Sequence, residues 1–167
     1  MVTLQNNKKV IILFGILTSI MLVIIMFIVS PMIDGKMGLG VIKLQLAFNT
    51  ENGKSIIESW NISGQHNFLK YIYIDYIYAF SYSFFFASIY LNKLLKNDIK
   101  ITPKHTAILL LPFTIGIFDM IENTIEIMFL KNPIKFSELL FSFHSIIATL
   151  KWIGIPIIFY FILKPSK

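Results

Sequence analysis

The sequence from Val10 to Ser30 reads VIILFGILTSIMLVIIMFIVS and contains no charged residue. A bilayer core of about 30 Å is crossed by about 20 residues of α-helix. The run has that length, and Pro31 follows it directly. Lys8 and Lys9 precede it, as in a signal peptide, but the apolar core of a signal peptide is usually only about 7 to 15 residues long. We therefore predict a retained transmembrane helix.

Three further apolar runs follow, at about residues 68–91, 107–130 and 139–163. The chain is 56% hydrophobic and only 14% charged, which is far from the composition of soluble domains. We therefore predict an all-α membrane protein that forms one integral membrane domain over residues 1–167. Its expected architecture is a bundle of four transmembrane helices.

The one sizeable extramembrane piece, residues 31–67, lies between the first and second runs. Residues 41–48 alternate between apolar and polar side chains, which predicts a short strand or an interfacial segment. A short helix over residues 54–60, ending in Trp60, is expected to follow. Two roles remain open for the piece: a lid over the outer end of the bundle, or an amphipathic segment lying among lipid head groups.

The distribution of Lys residues predicts the orientation. Eight of them fall on the side of the two termini and of the second connection, against six on the other side. The eight are Lys8, Lys9, Lys93, Lys96, Lys100, Lys104, Lys164 and Lys167. Because cytoplasmic loops carry an excess of positive charge, we predict a multi-pass protein of the bacterial cytoplasmic membrane with both termini in the cytoplasm.

Composition and motifs also exclude several classes of function. The 15 basic residues are all Lys, so the chain has no Arg side chain to bind phosphate in a planar, bidentate way. No nucleic-acid partner is therefore expected. The chain has no Cys, which excludes disulfides, thiolate metal sites and thiol nucleophiles. Neither a two-His zinc motif nor a G-x-S-x-G motif is present. Motifs therefore predict no cofactor and no metal site.

The third apolar run carries Asp119-x-x-Glu122-Asn123-x-x-Glu126. A charged side chain at membrane depth costs about 2.5 to 3.5 kcal/mol on insertion scales, and it is tolerated where it faces a bundle interior, a wet cavity or an opposite charge. At about 100° per residue these four side chains share roughly a quarter of the helix circumference. This face is the candidate functional site.

Two other runs carry polar faces of their own. In the second run the spacing places Tyr71, Asp75, Tyr78 and Tyr82 on one face, and in the fourth it places His144 and Lys151 on one face. We expect the three faces to meet in the outer half of the membrane. Lys151 is expected to pair with Asp119, with Glu122 as a second partner, because an intramembrane Lys needs a carboxylate.

The candidate residues are assigned different roles. The catalytic candidates are Asp75, Asp119 and Glu122, with Lys151 as their charge partner and His144 in a lesser role. The ligand-binding candidates are Tyr78, Tyr82, Asn123 and Trp60. Glu126 is expected near the membrane boundary, where it reaches solvent, and His144 is expected to be a hydrogen-bonded packing residue.

One Lys cannot neutralise three carboxylates, and the sequence leaves three outcomes open. A carboxyl group is protonated, which would supply a general acid. Alternatively a cation occupies the site, and His144 is then the one nitrogen ligand for an oxygen-rich metal site. Otherwise the site is filled with water.

The combination of Asp119-Met120-Ile121-Glu122-Asn123 with Lys151-Trp152, after a tyrosine-rich second run that contains Asp75, resembles a group of small bacterial four-helix membrane proteins without an established activity. The resemblance covers nearly the whole chain and implies a segment after the first helix that forms a strand and a short helix ending in Trp. A looser similarity of design is to the emopamil-binding and sterol-isomerase-like four-helix proteins, which hold carboxylates inside a bundle. This similarity implies a lipid-derived or cationic ligand.

Three functions compete. The first is binding of, or action on, a membrane lipid or a cationic amphipathic ligand. A pocket large enough for an acyl chain or ring would support it, whereas solid packing between the three faces, with no cavity, would rule it out. The second is a structural or partner-binding role in which the charged residues fix helix packing. The third is movement of protons or cations. The sequence does not indicate an oligomeric state.

Overall fold

The computed structural model describes residues 4–36 and 38–164; Lys167, which was counted for the orientation, lies outside them. Within these residues all regular secondary structure is helical. The helices are α1 (Leu4–Val23), a π-helical segment (Ile24–Val29), α2 (Pro31–Asp34), α3 (Leu39–Gln45), α4 (Thr50–Ser59), α5 (Ile62–Lys96), α6 (Pro103–Lys131), a 3-10 turn (Pro133–Lys135) and α7 (Glu138–Leu163).

Four helical stretches are long and apolar enough to cross a membrane: Leu4–Asp34, Ile62–Lys96, Pro103–Lys131 and Glu138–Leu163. The chain is therefore a multi-pass membrane protein, as the apolar runs predict. The helices extend beyond the predicted spans because local capping groups, and not hydropathy, set their first turns. The side chain of Asn61, for example, accepts a hydrogen bond from the backbone N–H of Gly64 at 2.7 Å and starts α5 well before the apolar run.

The long helices pack in chain order, α1 on α5, α5 on α6 and α6 on α7, while α5 and α7 touch each other at few points. Two buried hydrogen bonds attach α1 to α5. The amide of Asn7 donates to the backbone oxygen of Ser88 at 2.9 Å, and the hydroxyl of Thr18 donates to that of Ser81 at 3.3 Å. Helix α1 is therefore an outer wall, and α5, α6 and α7 enclose the interior.

The segment of residues 31–60, called the cap below, contains α2, α3 and α4 and closes one end of the bundle. The strand predicted over residues 41–48 is wrong, because residues 39–45 are helical. Val41, Leu44 and Gln45 are all buried, and their i, i+3, i+4 spacing is that of one helix face. A lone helix also satisfies its own backbone hydrogen bonds, whereas a lone strand cannot.

The cap is held on the bundle by both apolar and polar contacts. Its residues Leu44, Ile57 and Trp60 join a buried cluster with Phe129 and Phe141 of the long helices. This burial supports a lid over the bundle end in preference to a segment lying among head groups. The expected helix ending in Trp60 is present as α4, whose last residue precedes that Trp.

A polar seam joins the cap to α7. The indole N–H of Trp152 donates to the side-chain oxygen of Gln45 at 3.1 Å. Phe48, which has a φ of +59°, is held on both sides, because its N–H donates to the hydroxyl of Ser145 at 3.1 Å and its carbonyl accepts from Ser142 at 2.9 Å. These bonds offset the cost of a left-handed backbone at a bulky residue.

Candidate functional site

The three polar faces meet inside α5, α6 and α7, next to the cap. The charged and titratable side chains that meet there, called the acidic cluster below, are Asp75, Asp119, Glu122, Glu126, His144 and Lys151, and each is at most 5% exposed. A buried charge requires a partner of opposite sign or hydrogen-bond donors. The contacts around these side chains therefore determine what the cluster can do.

Lys151 is the cation of the cluster. Its Nζ lies 2.9 Å from Oδ1 of Asp119 and 2.8 Å from Oε2 of Glu122. The pairing predicted from the sequence is confirmed, with Glu122 as the second partner. Both carboxylates belong to α6 and the ammonium belongs to α7, so the charges join these two helices.

Asp75 has a neutral partner. The amide nitrogen of Asn123 donates to Oδ2 of Asp75 at 3.0 Å. The hydroxyl of Tyr82 donates to Oδ2 of Asp119 at 3.1 Å, and the Tyr82 ring packs edge-on against that of Tyr78 at 5.2 Å between centroids. The candidate residues Tyr82 and Tyr78 therefore line the side of the cluster that α5 contributes, and Asn123 of α6 faces Asp75.

Glu126 and His144 form a second part of the cluster. His144 Nε2 lies 3.3 Å from Oε1 of Glu126, and the imidazole packs on the ring of Phe141 at 5.3 Å. The hydrogen bond expected for His144 is present. The expectation that Glu126 reaches solvent is wrong, because it is 1% exposed. Leu44 of the cap helps to enclose the space beside Glu126, so a position near the end of the span is still buried.

Several buried polar atoms of the acidic cluster and of the neighbouring Asn123 have no hydrogen-bond partner among the described residues. They are Oε1 of Glu122, Oε2 of Glu126, Nδ1 of His144 and Oδ1 of Asn123. A small gap between side chains, with no room for a water molecule, lies beside them and is lined by Leu44, Ile125, Glu126, Phe129, Phe141 and His144. Most of its walls are apolar, and two of the orphaned groups, Glu126 and His144, border it.

The charges of the cluster do not balance. Four carboxyl groups stand against one ammonium, so with all of them ionised and the imidazole neutral a surplus of three negative charges remains. Isolated charges are too costly in a low-dielectric interior to persist. Protons or a bound cation must therefore supply the missing positive charge.

The acidic cluster is separated from the far end of the bundle by an apolar layer. Ala79, Tyr82, Ile115 and Ile158 form a buried cluster on the side toward residues 97–102. This packing does not favour a path for ions through the bundle. Trp60, a ligand-binding candidate, lies in the cap and packs on Phe68 at 5.0 Å between ring centroids, and its backbone oxygen accepts a hydrogen bond from Gln65 at 3.2 Å.

Sequence reasoning missed two features of the site. It set Glu126 aside, although its position one turn after Glu122 on the same face was the available signal. It also missed Gln45, which receives a bond from Trp152 and is 2% exposed. No local signal distinguishes Gln45, because its partner is 107 residues away.

No protein-family model, curated protein or solved structure matches the chain.

Proposed function

We propose that the protein binds the cationic head group of an amphipathic, lipid-like molecule at Asp75. One observation carries the proposal: the Asp75 carboxylate is 5% exposed, and it is bonded to the neutral amide of Asn123 while Lys151 contacts Asp119 and Glu122. A buried carboxylate without a cationic partner attracts a proton or a cation. An ammonium head group supplies that charge.

The surroundings of Asp75 suit such a head group. Tyr71 and Tyr78 lie four residues before and three residues after it, on the same face of α5, and both are half-buried. Their spacing directs both rings to the side of α5 that carries the carboxylate. Aromatic faces stabilise an adjacent ammonium group by cation–π attraction. The two rings thus form a lateral entrance for a ligand that arrives from the lipid.

We assign the apolar tail of the ligand to the surrounding lipid. Enclosed sites for drug-sized ligands occupy about 300 to 1,000 Å³, whereas the gap beside Glu126 and His144 has no room for a water molecule. This gap does not provide the room for an acyl chain or ring that an enclosed lipid pocket requires. Because α5 and α7 touch at few points, the tail lies along the outer surface of the bundle between these helices.

The test uses the full-length protein in nanodiscs of zwitterionic lipid and a fluorescent long-chain primary ammonium as the probe. The matched probe is the corresponding neutral long-chain alcohol. We expect saturable binding of the ammonium and not of the alcohol. Asp75→Asn is expected to weaken ammonium binding by about tenfold or more, since a buried charge pair is lost.

The control variant is Glu58→Gln, which removes one negative charge from an exposed cap residue whose partner is Lys54. We expect this variant to bind the ammonium as the unmodified protein does. Equal binding of the two probes, or unchanged ammonium binding by Asp75→Asn, would refute the proposal.

A second candidate function is structural, and the two contacts of Lys151 favour it. One ammonium joins two carboxylates of α6 to α7 within 3 Å, which fixes how these helices pack. In that case the cluster sets helix register or a surface for a partner protein, and the ammonium probe does not bind saturably.

A further inference from the structure

We propose that Glu122, Glu126 and His144 form a binding site for a divalent first-row transition-metal ion beneath the cap. Each residue offers one ligand atom, these atoms lie within 4.8 Å of one another, and all three side chains are buried. The site goes beyond the proposed function, because Asp75 is not one of the three ligands.

Helix geometry brings the three ligands together. Glu122 and Glu126 are four residues apart on α6 and therefore project from the same face, one turn apart. His144 reaches the same point from α7, with its Nε2 at 3.3 Å from Oε1 of Glu126. Metal sites inside helix bundles are built in this way, from carboxylates and imidazoles on facing helices.

Unpartnered atoms supply an independent observation. Glu122 Oε1 and Glu126 Oε2 have no hydrogen-bond partner among the described residues, and both side chains are 0 to 1% exposed. Polar atoms that are buried in this way are rare and need an explanation. An unbound ligand set explains them, because lone pairs that coordinate a metal need no donor from the protein.

The ligand types select the metal. Two carboxylates and one imidazole suit Zn²⁺, Fe²⁺ or Mn²⁺, while Mg²⁺ and Ca²⁺ favour oxygen ligands alone. Zn²⁺ bonds of about 2.0 to 2.2 Å place tetrahedral ligand atoms about 3.4 Å apart. From the spread of up to 4.8 Å, the side chains close around the ion by on the order of 1 Å.

Charge and surroundings agree with this site. A divalent ion offsets two carboxylates and reduces the surplus of negative charge in the acidic cluster from three to one. The neighbouring gap is lined mainly by Leu44, Ile125, Phe129 and Phe141, whose apolar side chains keep bulk water away. Leu44 belongs to the cap, so displacement of the cap opens the route by which the ion enters.

The experiment measures metal content directly. Full-length protein in detergent is stripped with a chelator, equilibrated with Zn²⁺, Mn²⁺ or Mg²⁺, desalted and analysed by mass spectrometry of the metal. We expect about one equivalent of Zn²⁺ and far less Mg²⁺. In Glu126→Gln and His144→Gln we expect at least a tenfold loss of Zn²⁺ affinity, since replacing even a residue that only supports a metal ligand typically lowers metal affinity by about 10- to 100-fold.

Asp75→Asn serves as the matched control, because it removes a buried carboxylate of the same cluster that is not a ligand. It is expected to keep Zn²⁺ while losing the ammonium probe, so failure of the metal site and failure of the proposed function are told apart. Less than about 0.1 equivalent of Zn²⁺ on the unmodified protein, or full Zn²⁺ affinity in Glu126→Gln, would overturn the proposal.

A second measurement does not depend on the folding of variants. X-ray absorption at the zinc edge of the Zn²⁺-loaded unmodified protein is expected to show one imidazole among oxygen ligands. A shell of oxygen alone contradicts the site, because His144 would then be unbound.

Discussion

The ammonium of Lys151 on α7 lies 2.9 Å from Oδ1 of Asp119 on α6, and both side chains are 5% exposed. Neither charge is near bulk water, so each depends on the other for its stability. Removing one partner of such a pair leaves an uncompensated buried charge, which is more costly than removing both.

Lys151→Met is therefore expected to lower the free energy of unfolding by about 3 to 5 kcal/mol. The double variant Lys151→Met/Asp119→Asn should be less destabilised than the sum of its single variants, because it removes the stranded carboxylate. The coupling is measured with a double-mutant cycle in denaturant titrations of the protein in detergent. Single-variant effects that add within about 0.5 kcal/mol would show that the two residues do not stabilise each other.

Gly116 is expected to tolerate no larger side chain. A Cβ at this position would overlap the hydroxyl of Ser83 on α5 and lie 3.2 Å from the backbone oxygen of Ala79. Gly116→Ala should force α5 and α6 apart and destabilise the protein by about 1 to 3 kcal/mol, as overpacking does. Thermal unfolding in detergent measures the effect.

Thr114→Ala, two residues earlier on α6, is the control for Gly116→Ala. Thr114 is exposed and its hydroxyl bonds to Leu110 of the same helix, so its loss should change stability by no more than about 0.5 kcal/mol. Equal melting temperatures for Gly116→Ala and Thr114→Ala would show that the helices do not approach as closely as described.

The bond between Trp152 and Gln45 is expected to keep the cap closed. Trp152→Phe keeps the aromatic ring but removes the indole N–H, which leaves the buried oxygen of Gln45 without its donor at a cost of about 1 to 3 kcal/mol. We expect faster proteolysis within residues 31–60. Tyr160→Phe, at a 55% exposed position of the same helix, should leave the proteolysis rate unchanged. If Trp152→Phe is cleaved no faster than Tyr160→Phe, this bond does not hold the cap.

The orientation can be tested with single Cys residues, because the chain has no Cys of its own. Ser55→Cys labels an exposed position of the cap, and Lys100→Cys labels an exposed position between α5 and α6. With both termini in the cytoplasm, a membrane-impermeant maleimide should modify Ser55→Cys in intact bacterial cells. Lys100→Cys should react only after the membrane is permeabilised. The reverse pattern would invert the predicted topology.

Part of the site followed directly from the sequence. Helical periodicity placed Asp119 and Glu122 on one face. Because a charge exposed to lipid is costly, both that face and Lys151 were expected to point into the bundle. Lys151 on the neighbouring helix lies at a depth similar to that of these carboxylates, so its pairing with Asp119 could be inferred. These arguments use only local spacing and the solvent preference of single residues.

Other features required the fold. An alternating run such as residues 41–48 fits a strand as well as a short helix, and the choice depended on whether a pairing partner lay beside it. Glu126 lies near the end of its apolar run, where a carboxylate normally reaches solvent, but a cap residue 82 positions earlier in the chain, Leu44, helps to enclose it.

The sequence by itself determined the four long helices, their location in a membrane and the polar faces that point inward. These features depend on hydropathy and helical period, which act over a few turns of chain. Only the tertiary structure decided that the cap closes one end of the bundle and that Glu126 and His144 meet beneath it. Burial at those positions depends on what packs over them, and those groups come from distant parts of the chain.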